Sequence, residues 1–473
     1  MRYVSNGVVR LYERSPTWAR SIASSLYGAV KHYRESPAGV QRYLDELRES
    51  QWWSRERLEA LQHRRLRDLV EHAASRVPYY RNLFAEHGIA SSQMQSPDDL
   101  KRLPTLSKEA VRRNARSLIA DGLDIRRIRS ESTSGTTGTP LTAYMDDRAF
   151  LATKAVQYLH RSWGGYSGDD WIGVLGGYQV VPLDRRAPPF WIRNYIDRQV
   201  HLSTYHLRPD RAALYLDELA ALKVKYLRGY PSAIGLLARF AGFMDRTLPL
   251  AGVFLNSEPI LPWQRKAIGE VFGCPIYNYY GQIERVVIGA GCGVSEHLHV
   301  SMETGIVEFV ASTSLPGRSV VVGTSLMNYA MPLIRYEIND IASPVQQTCA
   351  CGRGLALMTP VETRAGDFLV TPEGNYLSPT GLTLSFKTAE GVATSQIVQD
   401  DPMHLTIRVV PTSAYTSEDA AGLILALRKM VGDAIDIDVE TVGEISRTAN
   451  GKFQFVVSEV ARRELGMSPI GRD

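Results

Sequence analysis

The chain has 473 residues, with 54 Lys+Arg against 50 Asp+Glu and a formal net charge of +4. That length accommodates about three domains at roughly 150 residues each, or one large body with a smaller companion. Apolar residues at 44% and charged residues at 22% exclude a disordered chain, and a near-neutral balance gives no basis for a nucleic-acid partner. No stretch approaches the roughly 18 uninterrupted apolar residues of a membrane span. Charges such as Arg10 and Glu13 fall where a signal peptide would carry its apolar segment, so export is not expected. Four cysteines make no disulfide scaffold, and a cytoplasmic protein with reduced thiols is the expectation.

From the start to about residue 118 the chain reads as helical. Within Arg57–Val77, Leu58, Leu61, Leu66, Leu69, Val70 and Ala73 recur near helical spacing, and Pro78 ends the run because proline disfavours helical geometry in its predecessor. A helix over Tyr79–His87 stops at Gly88, and Ser107 reads as the N-cap of Lys108–Ala115. After residue 128 short β-branched runs alternate with helical stretches. Strands are expected at Trp171–Leu175, Tyr226–Arg228, Gly252–Leu255, Pro275–Tyr279, Ile306–Val310 and Ser319–Thr324. Helices are expected at Asp210–Leu222, Ser232–Phe243 and Pro262–Phe272. This alternation implies an α/β architecture in layers. A second boundary falls near 363–380, and the remainder reads strand, helix, strand at Leu405–Val409, Ser417–Val431 and Ile435–Val442.

The strongest local signal is Ser132-Thr133-Ser134-Gly135-Thr136-Thr137-Gly138-Thr139-Pro140. Its glycines permit a tight turn, and its hydroxyls lie beside backbone N–H groups, a composition that wraps phosphate oxygens. The loop lacks the lysine of a P-loop NTPase. No G-x-S-x-G elbow surrounds a serine and no H-E-x-x-H occurs, so serine-hydrolase and zinc-protease chemistry are excluded.

The S-G-T-T-G-T-P order resembles the phosphate-binding signature of the adenylate-forming superfamily of acyl-CoA synthetases, adenylation domains and luciferases. Five further segments fall in the superfamily's order. Asn256-Ser257-Glu258-Pro259 resembles the adenine-side segment, and Tyr279-Tyr280-Gly281-Gln282-Ile283-Glu284 the Y-G-x-x-E segment. Arg335-Tyr336-Glu337-Ile338-Asn339-Asp340 resembles R-Y-x-x-G-D. Thr363-Arg364-Ala365-Gly366-Asp367 resembles the G-R-x-x-D hinge, and Arg447–Lys452 the loop of the catalytic lysine. Val77-Pro78-Tyr79-Tyr80-Arg81 and Leu103–Lys108 are similar to the phenylacetate–CoA ligase and capsule-biosynthesis branch.

The resemblance implies a large multi-layer α/β body with a small, mobile α+β C-terminal domain. The expected division is a helical lead-in over 1–118, a body over 119–363, a hinge at 364–370 and a cap over 371–473. It implies ATP-dependent adenylation of a small, aromatic carboxylic acid, followed by acyl transfer to CoA. A carrier-protein thiol, an amine or a hydroxyl are alternative acceptors, and a non-catalytic nucleotide-binding protein is the alternative of another class. By the same resemblance Ser134, Gly135, Thr136, Thr137, Gly138 and Thr139 hold the ATP phosphates. Ser257, Glu258, Pro259 and Tyr280 line the adenine, Asp340 takes the ribose, Arg364 donates to ribose or phosphate, and Glu284 is a ligand for Mg²⁺, a hard cation that favours carboxylate oxygen. Lys452 brings the catalytic cation and Asp367 stands at the hinge, while Tyr230, Ser232 and Tyr279 are candidates for the acid's pocket. Thr363 and Asn339 replace glycines of the pattern, and the phosphate loop lacks the lysine that many relatives carry near Thr139.

Cys349-Ala350-Cys351-Gly352 is a tight C-x-C-G turn, and Cys292 lies upstream. With an imidazole these thiolates make a closed tetrahedral Zn²⁺ site of structural type. His297 competes with His299 as the fourth ligand. His299 is preferred because it leads into the Ile306–Val310 region at the family's spacing. Cys274 reads as a core thiol. The acid's identity, the acceptor and the oligomeric state, a homodimer included, stay open.

Overall fold

The computed structural model describes residues 15–34, 37–132, 141–311, 319–361, 367–377, 379, 382, 391–446 and 454–464. Its first part is helical, with helices at Thr17–Arg34, Pro37–Ser50, Arg55–Arg76, Pro78–Glu86 and Lys108–Arg113. Ser54 Oγ accepts from the Arg57 N–H at 3.4 Å and starts the Arg55–Arg76 helix by satisfying one of its orphan donors. Val77 is extended because Pro78 follows it, and Pro78 opens the next helix, where its missing N–H costs nothing. The apolar stripe from Leu58 to Ala73 is buried as its spacing predicts. Ser107 caps Lys108–Arg113 by accepting from the Ala110 N–H at 3.1 Å.

A ten-stranded sheet follows. Five of its strands are parallel neighbours, in the order Ile276–Tyr280, Gly252–Asn256, Tyr226–Gly229, Ile172–Leu175 and Gln199–Leu202. Strand Trp191–Asn194 closes one edge antiparallel. Gly289–Gly291, Leu298–Val300, Leu357–Met358 and Pro344–Val345 extend the other edge in antiparallel steps. Helices Pro209–Ala221, Pro231–Phe243 and Pro262–Phe272 supply crossovers. Their buried residues, among them Leu219, Ile234, Leu237 and Ile268, share a core with Leu175, Leu227 and Leu255 of the strands. All four residues of Ile172–Leu175 are buried, as expected of a strand covered on both faces.

A separate three-stranded antiparallel sheet is formed by Gly305–Ala311, Ser319–Ser325 and Tyr336–Ile341. The last strand is fastened to the lead-in through Arg335, which is 8% exposed. Its guanidinium bonds the Glu308 carboxylate at 3.0–3.2 Å and donates to the Leu103 carbonyl. The backbone of Leu106 exchanges hydrogen bonds with Arg335 and Glu337 at 2.8 and 3.0 Å.

The C-terminal part is a four-stranded sheet in the order Asp436–Thr441, His404–Pro411, Val392–Asp401, Val456–Ser458. The helix Ser417–Val431 buries Leu423, Leu427 and Val431 against Ile397, Leu405, Ile407 and Val409. The hairpin of Leu369–Val370 and Tyr376–Leu377 joins two cores. Val370 and Tyr376 pack with Phe240 of the large body, while Leu369 and Leu377 pack into the C-terminal core, the two-faced alternation of a strand.

Arg335→Met removes one partner of a nearly buried ion pair and leaves Glu308 uncompensated. We expect a loss of about 3 kcal/mol in urea unfolding, with a change below about 0.5 kcal/mol refuting the clamp.

Candidate active site

Parallel strands all end at the same edge of their sheet, and the loops leaving that edge form a crevice. Here Asn256 pairs with Tyr279 across neighbouring strands, so the segments Asn256–Pro259 and Tyr279–Glu284 leave the sheet side by side. Two hydrogen bonds join the second segment to Tyr336–Ile341. The Tyr280 hydroxyl donates to Asp340 Oδ2 at 2.8 Å, and the Tyr336 hydroxyl donates to Glu284 Oε1 at 2.8 Å. Glu284 is 5% exposed. Gln282 locks the turn between them, donating to the Tyr280 hydroxyl at 3.3 Å and accepting from the Val286 N–H at 3.2 Å. Burial first, and then the Asp340 carboxylate, hold the Tyr280 phenol well above its ordinary pKa; burial and Glu284 do the same to Tyr336. Both therefore stay protonated donors.

Three non-glycine residues in these segments have left-handed backbone geometry: Ser257 at φ 70°, Arg285 at 54° and Arg335 at 53°. Such conformations cost energy and persist where the surroundings over-determine them. Arg285 shows how. Its guanidinium pairs with Glu131 at 2.5 Å and stands 5.4 Å from the Phe150 ring. Glu131 belongs to the hairpin of Arg129–Ser132 and Thr142–Met145, in which Ser132 pairs with Thr142. The ends of the Ser/Thr/Gly loop are thereby tied next to Glu284. The loop residues Ser134, Gly135, Thr136, Thr137, Gly138 and Thr139 lie outside the described residues, as do Arg364 and Lys452.

Glu258 accepts from the Ser232 N–H at 2.9 Å, which satisfies a free donor at the start of helix Pro231–Phe243. Ser257 is exposed and its hydroxyl donates to Asn256 Oδ1 at 2.9 Å. Pro259 follows, partly exposed. Asp367 is 6% exposed and accepts from the Ser458 N–H at 3.1 Å and from Arg462 Nε at 2.7 Å. It is thereby bound to the last strand and helix of the C-terminal part.

Behind the strand ends lies a cavity of about 390 Å³. Tyr230 and Tyr279 line it, as does Phe254. Ser232 is not among the lining residues, and its hydroxyl is buried without a hydrogen-bond partner. Gly229 stands at the lip with φ 156°, where a Cβ would meet the Leu175 carbonyl oxygen at 1.9 Å. Helix Asp147–Trp163 forms the facing wall. It contributes His160, whose burial pushes its pKa down to about 3 and keeps it neutral. Arg161 and Arg228 also line the cavity and escaped the motif reading. A charged residue inside the apolar run Tyr226-Leu227-Arg228-Gly229 was the available signal.

At the antiparallel edge, one ligand atom from each of Cys292, His299, Cys349 and Cys351 lies within 4.8 Å of all the others. His297 is outside this cluster, and Cys274 is a separate thiol that burial raises to about 11. The two sulfurs of Cys292 and Cys349 are 3.6 Å apart, and Cys351 Sγ is 3.4 Å from His299 Nε2. A tetrahedron of thiolates and imidazole around Zn²⁺ has edges of about 3.5–3.8 Å, so the donor set fits that ion. Burial pushes His299 down to about 4, leaving the neutral imidazole that a metal requires. The knuckle is packed against the lead-in and the helix Asp147–Trp163: Gly354 N–H donates to the Gln51 carbonyl at 3.0 Å, and Trp163 packs edge-on to His299 at 5.7 Å.

Tyr336→Phe leaves a buried carboxylate oxygen without its donor. We expect a loss of about 2 kcal/mol in urea unfolding, shrinking in a Glu284→Gln background. An equal loss in both backgrounds would show that the hydroxyl does not serve Glu284.

Residues 369–459 match the family model of the CapK C-terminal domain. Protein CapK of Staphylococcus aureus is 22% identical over 468 residues, covering 95% of this chain and 99% of that protein. The phenylacetate-coenzyme A ligase of Thermus thermophilus is 28% identical over 344 residues, covering 67% of this chain and 72% of the relative. Among solved structures, 2-hydroxyisobutyryl-CoA ligase in complex with 2-HIB-AMP and CoA superposes with a TM-score of 0.54 at 19% identity, over 89% of this chain and 93% of that one. The C-terminal part thus matches the CapK C-terminal domain, and the chain as a whole is similar in sequence to CapK and the phenylacetate–coenzyme A ligases and in fold to an acyl-CoA ligase.

Proposed function

We propose that the protein is an ATP-dependent, AMP-forming ligase that activates a small carboxylic acid and passes the acyl group to coenzyme A. The observation that carries this reading is the pair of tyrosine–carboxylate hydrogen bonds, Tyr280–Asp340 and Tyr336–Glu284, which join two motif segments beside an acid-sized cavity. The names of its relatives support it: phenylacetate-coenzyme A ligase by sequence and 2-hydroxyisobutyryl-CoA ligase by fold. Tyr230, Tyr279 and Phe254 in the cavity wall favour a planar, ring-bearing acid, since flat rings pack face to edge against one another.

In the first step a carboxylate oxygen of the acid attacks the α-phosphorus of ATP. The bond to the bridging oxygen breaks and pyrophosphate leaves with its electron pair. Both reactants are anions, so positioning and charge neutralisation carry the catalysis. In this reading the hydroxyls and N–H groups of Ser134–Thr139 hold the departing phosphates, and Asp340 accepts from the ribose. Glu284 would hold Mg²⁺, a cation that would offset the charge of the phosphates; its Oε1 is engaged by Tyr336, and the side chain is oriented by that bond. Lys452 brings a late cation to the carboxylate. In the second step the CoA thiol attacks the acyl carbon and AMP leaves. Asp367 is bonded to Ser458 and Arg462, so in this reading it travels with the cap.

ATP–pyrophosphate exchange across a carboxylate panel tests this. Exchange with at least one small acid is expected, together with CoA-dependent AMP release, and Lys452→Ala should lower exchange by about 10²-fold or more while ATP still binds. ATP binding without exchange for any acid would make the chain a nucleotide-binding module. Exchange followed by release to an amine or carrier thiol, and not to CoA, would reassign the acceptor.

We also infer that Cys292, His299, Cys349 and Cys351 hold one structural Zn²⁺. Protein purified without chelator should contain about one equivalent, falling below about half an equivalent in Cys351→Ser and unchanged in Cys274→Ser. Wild-type protein with under about half an equivalent would refute the site.

A further inference from the structure

The cavity is more polar and more cationic than a pocket for phenylacetate requires. Its lining carries Lys154, Arg161 and Arg228 against one carboxylate, Asp197. Asp197 accepts from Asn194 Nδ2 at 2.8 Å, and no ion pair links it to either guanidinium among the described residues. Arg161 stands 5.2 Å from the Tyr158 ring. Neither Arg161 nor Arg228 has a side-chain hydrogen bond or ion pair among the described residues. They are neighbours, and the field of Arg161 adds to burial in lowering Arg228 to about 10. Two guanidinium groups that face one cavity, neither paired with a carboxylate, repel each other and cost desolvation energy. Strand interiors normally exclude such a residue. An arriving anion relieves that cost, and Arg is the side chain suited to grip carboxylate or phosphate oxygens as a fork.

The register shows which end of a ligand they meet. Arg228 aligns with Phe254, and Phe254 with Tyr277. Tyr280, the partner of Asp340, lies three residues further along that last strand. At about 3.3 Å per residue the Arg228 row is about 10 Å deeper than the row where the motif segments meet. Arg228, Tyr230, Phe254, Asn256 and Tyr279 follow the alternation that puts side chains on one face of the sheet, and all five line the cavity.

We propose that the acid activated by this protein carries a second anionic group, held by Arg161 and Arg228 at the end of the cavity away from the reacting carboxylate. The ligand class is a small dicarboxylic acid, or a carboxylic acid ending in a sulfonate or phosphate, on a ring or a short chain. This rests on the adenylation reading, and it replaces a purely aromatic specificity with a charged one. The rings of Tyr230, Tyr279 and Phe254 flank the middle of the ligand, and the guanidinium groups select its far end.

The test pairs each neutral acid with its anion-bearing counterpart: phenylacetate with 4-carboxyphenylacetate and 4-sulfophenylacetate, and butyrate with succinate and glutarate. In pyrophosphate exchange the charged member should be favoured by about 30-fold or more in kcat/KM. Arg228→Met and Arg161→Met should each lower kcat/KM for the charged acid by about 30-fold, with the KM for ATP within about twofold of wild type. Preference for the neutral members overturns the proposal. A rise in the KM for ATP or CoA, with the acid unaffected, overturns it too, because the arginines then serve a phosphate of the co-substrate. Should no acid support exchange, thermal shift with the same acids decides separately. Stabilisation of wild type by the charged members, lost in both arginine variants, keeps the anion site while the adenylation reading fails; no stabilisation by any of them overturns the site. Arg228→Lys, which keeps the charge, controls for folding and should retain part of the preference.

Discussion

Parallel strands cannot be joined by tight turns, so the five central strands of this protein require crossovers, and each crossover brings the next strand in from the same side. That constraint lines up the carboxyl ends of Ile172–Leu175, Tyr226–Gly229, Gly252–Asn256 and Ile276–Tyr280 at one edge. The chemistry-bearing residues that follow those strands, from Gly229-Tyr230 to Tyr279-Tyr280, become neighbours although they are spread over some fifty positions of the chain. The close approach of Gly229 to the Leu175 carbonyl shows how tight this edge is: a Cβ at 1.9 Å from that oxygen has no room.

The edge is then fixed from outside the sheet. Arg335 clamps Glu308 and Leu103, Arg285 clamps Glu131, and Tyr280 and Tyr336 reach the carboxylates of Asp340 and Glu284. Arg285 and Arg335, with Ser257 at the neighbouring turn, carry the left-handed backbone angles. Strain and fastening coincide because a conformation that costs energy locally survives only where several contacts hold it. On the far side the Cys/His cluster reaches the same site through Trp163, which packs on His299 and ends the helix carrying Arg161. The knuckle thus braces the helix that forms the cavity's wall.

Local signals in the chain were strong wherever one residue type has one backbone solution. Pro78 stopped one helix and began the next, Ser107 capped another, and the apolar periodicity of Leu58–Ala73 identified a buried face. Helices Pro262–Phe272 and Ser417–Val431 have the bounds that their spacing predicts. Short antiparallel pieces such as Gly289–Gly291 and Leu357–Met358 were not legible, because two or three residues carry no period and exist as strands only through their partners. Ser232 reads locally as a pocket residue beside Tyr230, yet it sits in a helix start whose N–H is taken by Glu258, and its hydroxyl turns into the protein.

The opening numbers, 473 residues and a net charge of +4, allowed several architectures and pointed to no ligand. Ordered motifs carried the resemblance to the superfamily and named the candidate nucleotide-side residues and the four metal-ligand types, because those depend on residue identity and order along the chain. Only the tertiary structure decided that His299, and not His297, joins the three thiols: His299 sits within the strand Leu298–Val300, whereas His297 precedes it. It alone also brought Arg161 of a helix and Arg228 of a strand to one cavity across 67 positions of sequence. The near-neutral total conceals that local excess of positive charge, because net charge sums over the surface while recognition depends on which charges share a desolvated space.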